Sequence, residues 1–436
     1  MPRLASDADG TSRPDRSWTN GLALSISAAL SAGAGMLSWV LAARFVSPTA
    51  VGEVSAFVSG FLLVAGFTEF NLGVALMRWV PTGGRRVAAL VGRSLLGATI
   101  ATAIVAPLYL LLPGTEVIRQ AAGGGAPAVA VFVLAAVGWS TLHLLDFIMV
   151  AVDKPWWSVA RNLLLGSSRI TILLLLGAGA DATALLWAWV GPIVACAVVF
   201  GIAAVVVTVR HGRAAAESSN LPARREVVGF LGPTWVGSLA LALLYHQVPL
   251  LITFRFGPDV GGRFFIVWQA VAVIDIVATY FVSSLSSTVA RNPGRVVTQA
   301  RRALRRLLAL FLPALAIGAV FAGPLLGIFG PQYVELTSAL RILLAGAAAR
   351  LIVVHVLGVR QAIGDATGFA RPHIAVAATT LASLAVVPTV AGSVALSAAW
   401  VFVGVHIVAA ATLLSTQPAR VRAIAPQQVP KGKLDA

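Results

Sequence analysis

Five arginines, Arg93, Arg161, Arg169, Arg341 and Arg350, stand inside long apolar stretches of the chain. A guanidinium at the centre of a membrane helix costs about 2.5–3.5 kcal/mol on insertion scales, so each needs a partner or a purpose. The guanidinium fork binds two oxygens of one oxyanion at once, which makes phosphate or carboxylate the ligand class it suits. Arg169 and Arg350 lie deepest, whereas Arg161 has Asp146 near the same end of the preceding stretch as an ion-pair alternative. Glu69, Asp275 and His246 interrupt other apolar stretches. A carboxylate there can take a proton or bind Na⁺, and an imidazole titrating near neutrality can pass a proton on. Asp275, close to mid-stretch, is the better coupling candidate. Glu69 has the alternative of bonding an adjacent helix end, and His246 that of a structural hydrogen bond. There is no nucleotide-binding G-x-x-x-x-G-K-[ST] sequence, no Ser/His/Asp grouping and no metal-ligand spacing, so no catalytic residue, cofactor or metal is expected.

The elements that must position these residues follow from composition. The chain is 58% hydrophobic and only 11% charged, with a mean hydropathy of +0.90. That composition belongs in a bilayer, where a helix needs about 20 apolar residues to cross. Twelve spans are predicted, at roughly 20–43, 52–77, 87–112, 127–150, 156–178, 183–209, 227–254, 262–290, 307–329, 334–360, 373–391 and 394–416. Lys and Arg collect on the cytoplasmic side of short loops. With the N-terminus inside, 23 basic residues fall on that side, against Arg44, Arg119, Arg255 and Arg263 outside. Topology thus accounts for the net charge of +16 and leaves nucleic-acid binding little to explain. The expected organisation is a cytoplasmic tail (1–19), a first six-helix lobe (20–209), a cytoplasmic linker (210–226), a second lobe (227–416) and a cytoplasmic C-terminal tail (417–436). Met1 to Trp18 shows no apolar run followed by a small-residue cleavage site, so no removable signal is expected.

The two lobes are repeats. Arg44-Phe45 is answered about 211 residues later by Arg255-Phe256, Pro48 by Pro258, Gly52 by Gly262, Arg78 by Arg291 and Pro81 by Pro293. Six spans per half is an even number, so both halves insert in the same orientation, related by a pseudo-two-fold along the membrane normal.

Polar residues at helical spacing mark faces turned to water or protein. Asn20, Ser27, Ser31 and Ser38 form one stripe on the first span; Thr234, Ser238 and Tyr245 form its counterpart on the seventh. Ser55, Ser59 and Glu69 share a face of the second, and Gln269, Asp275, Thr279, Ser283 and Ser286 share one of the eighth. The sixth and ninth spans lack charge and hydroxyls over 184–207 and 307–329 and read as lipid-facing. Stripes on matching helices predict a hydrated cavity between the lobes; the alternative is hydroxyls bonding within and between helices.

The Arg-Phe-x-x-Pro-x-x-x-Gly sequence after the first span, Glu69 to Ala75 (Glu-Phe-Asn-Leu-Gly-Val-Ala) and Arg78-Trp79-Val80-Pro81 carry a resemblance. Over residues 20 to 86, and more loosely over the whole chain, it resembles the polysaccharide-transport or O-antigen flippase proteins of the multidrug/oligosaccharidyl-lipid/polysaccharide exporter superfamily. The resemblance implies an all-α, MATE-like fold of two six-helix lobes around a V-shaped cavity. It also implies movement of a polyprenyl-diphosphate-linked glycan from the inner to the outer leaflet of a bacterial cytoplasmic membrane, by alternating access. Its partners would be the lipid-linked glycan, membrane lipids, and a polymerase or glycosyltransferases of the same pathway. The diphosphate head group needs cations and hydrogen bonders on its path, for which Arg44, Ser27, Ser31, Ser238, Tyr245, Arg169 and Arg350 are the candidates. Arg78, Arg291, Arg301, Arg302, Arg305 and Arg306 make an inner-face basic surface, the last four on one helical face that attracts anionic lipid. Trp39, near an outer end, reads as an interfacial anchor. Two alternatives remain: a drug or cation antiporter of the same superfamily, whose cavity should be acidic and aromatic, and a polysaccharide polymerase or ligase, for which the outer loops look too short.

Overall fold

The computed structural model describes residues 16–214, 221, 224–291, 296–389 and 392–424, and among these the chain is helical throughout. The long helices are α1 (Arg16–Phe45), α2 (Pro48–Thr68), α4 (Val87–Tyr109), α6 (Gly125–Ala151), α7 (Trp156–Leu176) and α8 (Ala182–Ala214), then α9 (Arg224–Phe256), α10 (Pro258–Arg291), α11 (Val296–Val320), α13 (Thr337–Ala362), α14 (Ala366–Val386) and α15 (Val394–Ile424). Short helices α3 (Leu72–Trp79), α5 (Glu116–Ala121) and α12 (Ala322–Gly327) fill the connections. Among the described residues eleven helices are long and apolar enough to cross a membrane, and α1 adds a shorter apolar stretch, Ala29–Phe45.

The repeat is a structural fact. α1 packs on α7 as α9 packs on α14, α6 on α8 as α13 on α15, and α4 on α6 as α11 on α13. Each half is therefore a lobe of six long helices. Between the lobes, α2 runs against both α10 and α9. α2 and α13 are the most enclosed helices. α4, α8 and α11 turn Ile100, Val199, Ile202, Leu310 and Ile317 outward, side chains that only lipid solvates without cost.

The second span departs from expectation. It does not run unbroken over 52–77: α2 ends at Thr68, Phe70 and Asn71 take positive φ (48° and 58°), and the chain restarts as α3. Asn tolerates this left-handed conformation because its short side chain can bond locally. The ninth span also starts earlier and ends earlier than predicted, since α11 begins at Val296 and the chain turns at Phe321 before α12.

The turns α1–α2 and α9–α10 lie at one end of the molecule, called outer here after the charge asymmetry. There the lobes touch backbone to backbone. A Cβ on Gly52 would fall 2.9 Å from the Gly262 nitrogen and still closer to the Pro258 carbonyl, and one on Gly262 would fall 2.6 Å from the Gly52 nitrogen. Small residues allow such close helix approach in membranes. Arg44 Nε donates to the Ile328 carbonyl of the other lobe (2.6 Å), and Gln332 Nε2 to the Ala43 carbonyl (3.1 Å). α9 stays on α2 toward the inner end, where Trp235 Nε1 donates to the Phe67 carbonyl (2.9 Å) and its ring packs on Phe67 and Phe70. Contacts between α1 and α10, among the described residues, are few.

Candidate functional site

Three of the five arginines are buried in protein, Arg161, Arg169 and Arg350. Arg93 and Arg341 are exposed, and Arg341 Nε caps the Ala319 carbonyl at the end of α11 (3.0 Å). Arg161 is paired through both terminal nitrogens: Nη2 meets Asp146 Oδ2 (2.6 Å) and Asn162 Oδ1 (2.7 Å), and Nη1 meets the Leu142 carbonyl (2.8 Å), which leaves only Nε without a partner. Asn162 then donates to Ser27 Oγ (2.7 Å) and ties α1 to α7. Ser27, a candidate for the substrate path, is buried and accepts from the Asn162 amide through its hydroxyl and its carbonyl.

Arg350 and Asp275, which the sequence reading kept in separate roles, form one pair between α13 and α10. Arg350 Nε meets Asp275 Oδ1 at 2.7 Å, and each side chain is 3% exposed. Residues from three more helices surround it. Tyr245 of α9, His373 of α14 and His406 of α15 all lie within electrostatic reach of both charges. His373 Nδ1 and His406 Nδ1 bond the carbonyls of Phe369 (2.9 Å) and Phe402 (2.8 Å) one turn back. With Nδ1 so used, Nε2 is the nitrogen left to face the centre. Arg350 Nη1 and His406 Nε2 are buried without a hydrogen-bond partner. Every long helix of the second lobe except α11 thus sends an ionisable side chain to one dry centre. His373 escaped the sequence reading, and His406 carried little weight in it, because each stands alone in its stretch.

Arg169 is different. It is 5% exposed and stacks on the Trp189 ring, 3.6 Å from its centroid. Such a stack contributes about 2 kcal/mol when desolvated, short of the several kcal/mol that burying an ion costs. Nε and Nη2 have no hydrogen-bond partner, and neither has Trp189 Nε1. Trp189 packs on Trp39 (4.6 Å between centroids), and Trp39 on Phe265 of the second lobe (4.6 Å). Trp39 is therefore a buried part of the outer seam and not the interfacial anchor expected of it.

Glu69, at the end of α2, is buried and bonds His143 Nδ1 of α6. That contact braces the break between α2 and α3. Glu69→Ala should destabilise the protein by about 1.5–3 kcal/mol, the loss of a hydrogen bond to a charged group, read as a lower melting temperature in thermal unfolding of the purified protein. An unchanged melting temperature would remove the bracing role.

The remaining candidates are scattered. Ser31 is half-buried, Ser238 is exposed, and His246 is half-buried on α9 next to Tyr245. Ser38, Ser55 and Ser59 are buried, Ser38 and Ser55 bonding carbonyls of their own helices, so the stripes on α1 and α2 are largely packing surfaces and not a wetted wall. Arg44 lies on the seam between lobes, bonded to the Ile328 carbonyl. Arg301, Arg302, Arg305 and Arg306 are exposed along α11, and Arg78 lies on α3. The side chains of Asn20, Thr234, Ser283, Ser286 and Arg291 fall outside the described residues.

No family model and no curated protein matches this sequence. Solved structures do match. The chain superposes on an inward-facing multidrug resistance MATE family transporter of the MOP superfamily with a TM-score of 0.65 at 15% identity, covering 91% of this chain and 96% of that one. An outward-facing structure of such a transporter gives 0.60 at 14% identity, over 95% and 98%. A MOP superfamily transporter from Pyrococcus furiosus, described as having a binding pocket of reversed polarity suggesting a different function, gives 0.59 at 15% identity over 94% and 96%. The fold is accordingly that of the MATE transporters: an all-helical, multi-pass membrane protein of two six-helix lobes.

Proposed function

We propose that the protein is an alternating-access transporter that carries a polyprenyl-diphosphate-linked oligosaccharide from the inner to the outer leaflet. The observation that supports an anionic cargo is the balance of charge inside the membrane helices. Asp146, Glu69 and Asp275 are each held by a basic neighbour, whereas Arg169 has no acidic one among the described residues. A cation carrier needs a carboxylate free to meet its cargo. Among the described residues of the spans only Glu53, half-buried about one turn into α2, is without an ion-pair partner. The closed outer seam and the sparse contact between α1 and α10 suit a state open toward the inner side. Asp275 with Arg350 is the proposed coupling centre, and the exposed arginines of α11 are a surface for anionic lipid near that entrance, each contributing about 1 kcal/mol close to the headgroups.

The second reading, a drug or cation antiporter, draws support from the solved neighbours, two of which are multidrug resistance transporters by description. A strain depleted of the protein separates the two. Lipid-linked glycan trapped on the inner leaflet, seen with a probe confined to the outer face and relieved by wild type, supports the first. Normal leaflet distribution with raised sensitivity to cationic drugs moves the assignment to the second.

A further inference from the structure

We propose that Arg169 and Trp189 form an oxyanion site in the first lobe, closed in this state and uncovered when the outer seam parts. The inference rests on the transport reading only for the origin of the ligand; the site itself stands on geometry. Arg169 Nε, Arg169 Nη2 and Trp189 Nε1 are buried donors, none with an acceptor, gathered where a cation stacks on an indole. Among the described residues Cys196 is the only titratable neighbour within electrostatic reach of Arg169, and no carboxylate there compensates it. Buried donors in native proteins are almost always satisfied, and three left open together ask for an acceptor-rich ligand. A phosphate oxyanion fits: it is acceptor on every side, and a guanidinium edge offers it two parallel donors.

The location adds direction. Trp39 lies over Trp189 and is itself covered by Phe265 of the second lobe. Parting the lobes at the Gly52–Gly262 contact withdraws Phe265 and bares the stack on the outer side. The site then holds the phosphate of a cargo late in the crossing, after the inner side has closed. Its ligand is either the diphosphate of a lipid or a soluble phosphate, since both present the same oxygens.

The test uses the full chain in phosphatidylcholine nanodiscs, titrated by calorimetry with geranylgeranyl diphosphate, inorganic diphosphate and geranylgeraniol. Arg169→Gln should weaken both diphosphates at least about tenfold, as loss of a charge-assisted contact does. Trp189→Phe, which keeps the ring and removes the N–H, should weaken them about threefold. Gly52→Ala, which opens the seam, should tighten them. Geranylgeraniol should not depend on Arg169. A prenyl diphosphate much tighter than the inorganic ion assigns the site to a lipid headgroup, and equal affinities assign it to a soluble anion. The unliganded Arg169→Gln protein should melt no lower than wild type, because it sheds an uncompensated charge. Equal diphosphate affinities in wild type and Arg169→Gln, or a lowered melting temperature with affinity unchanged, would overturn the site. Either result leaves the leaflet assay of the transport reading untouched.

Discussion

Arg350→Met should destabilise the protein by about 3–5 kcal/mol, the cost of leaving one buried ion without its partner. Asp275 is 3% exposed and, among the described residues, pairs only with Arg350. Asp275→Leu alone should cost a similar amount for the converse reason. The double substitution Arg350→Met/Asp275→Leu should recover most of the loss, since replacing a buried pair by apolar groups of similar volume is often neutral or stabilising. Thermal unfolding of the four proteins in one detergent measures the cycle. Transport provides the second readout. If the pair is the coupling centre, the double variant folds and does not transport. Wild-type transport with an unchanged pH profile in the double variant would reduce the pair to a structural brace.

Gly52→Ala should shift the lobes away from the outer-closed arrangement. The added methyl meets the Pro258 carbonyl and the Gly262 backbone, neither of which can rotate aside. Overpacking costs about 1–3 kcal/mol when the surroundings can adjust, and backbone adjusts least. Because the contact lies between lobes, the cost falls on one arrangement of them and spares each lobe's core. A bias of that size changes the ratio of two states by roughly 5- to 150-fold. Spin labels at Gln120→Cys and Val334→Cys, one on each lobe, in a Cys196→Ala background, should report a longer outer separation. An unaltered distance distribution would show that the glycine contact does not set the closed state.

Much of this architecture is legible in the sequence because the repeat carries it. Gly52 and Gly262 align by offset alone, and the structure places them in contact across the seam. Helix number and the lipid faces of α8 and α11 follow from apolar length and the absence of hydroxyls. The break at Glu69-Phe70-Asn71 was hidden, because polar residues on a 3.6-residue period look alike whether the helix continues or stops one turn later. The Asp275–Arg350 pair was hidden for another reason: 75 residues separate its members, and nothing local in either stretch names the other. Ser27 and Ser238 occupy equivalent places in the repeat, yet one is locked to Asn162 and the other is exposed. Equivalence in sequence fixed their register and not their surroundings.

The two arginines that close α1 and α9 differ in a way that bears on how such a molecule stores its bias. Arg255 Nη1 bonds the Leu384 and Val387 carbonyls at the end of α14, inside its own lobe. Arg44, its counterpart, ignores the matching end of α7 and reaches Ile328 in the other lobe. A duplicated chain starts with two interchangeable hands, and here one clasps itself while the other clasps its twin. Trading one carbonyl for another leaves the number of hydrogen bonds unchanged, so the grip can be released at little enthalpic cost. Asymmetry of this kind lets two halves of one architecture tell one end of the journey from the other.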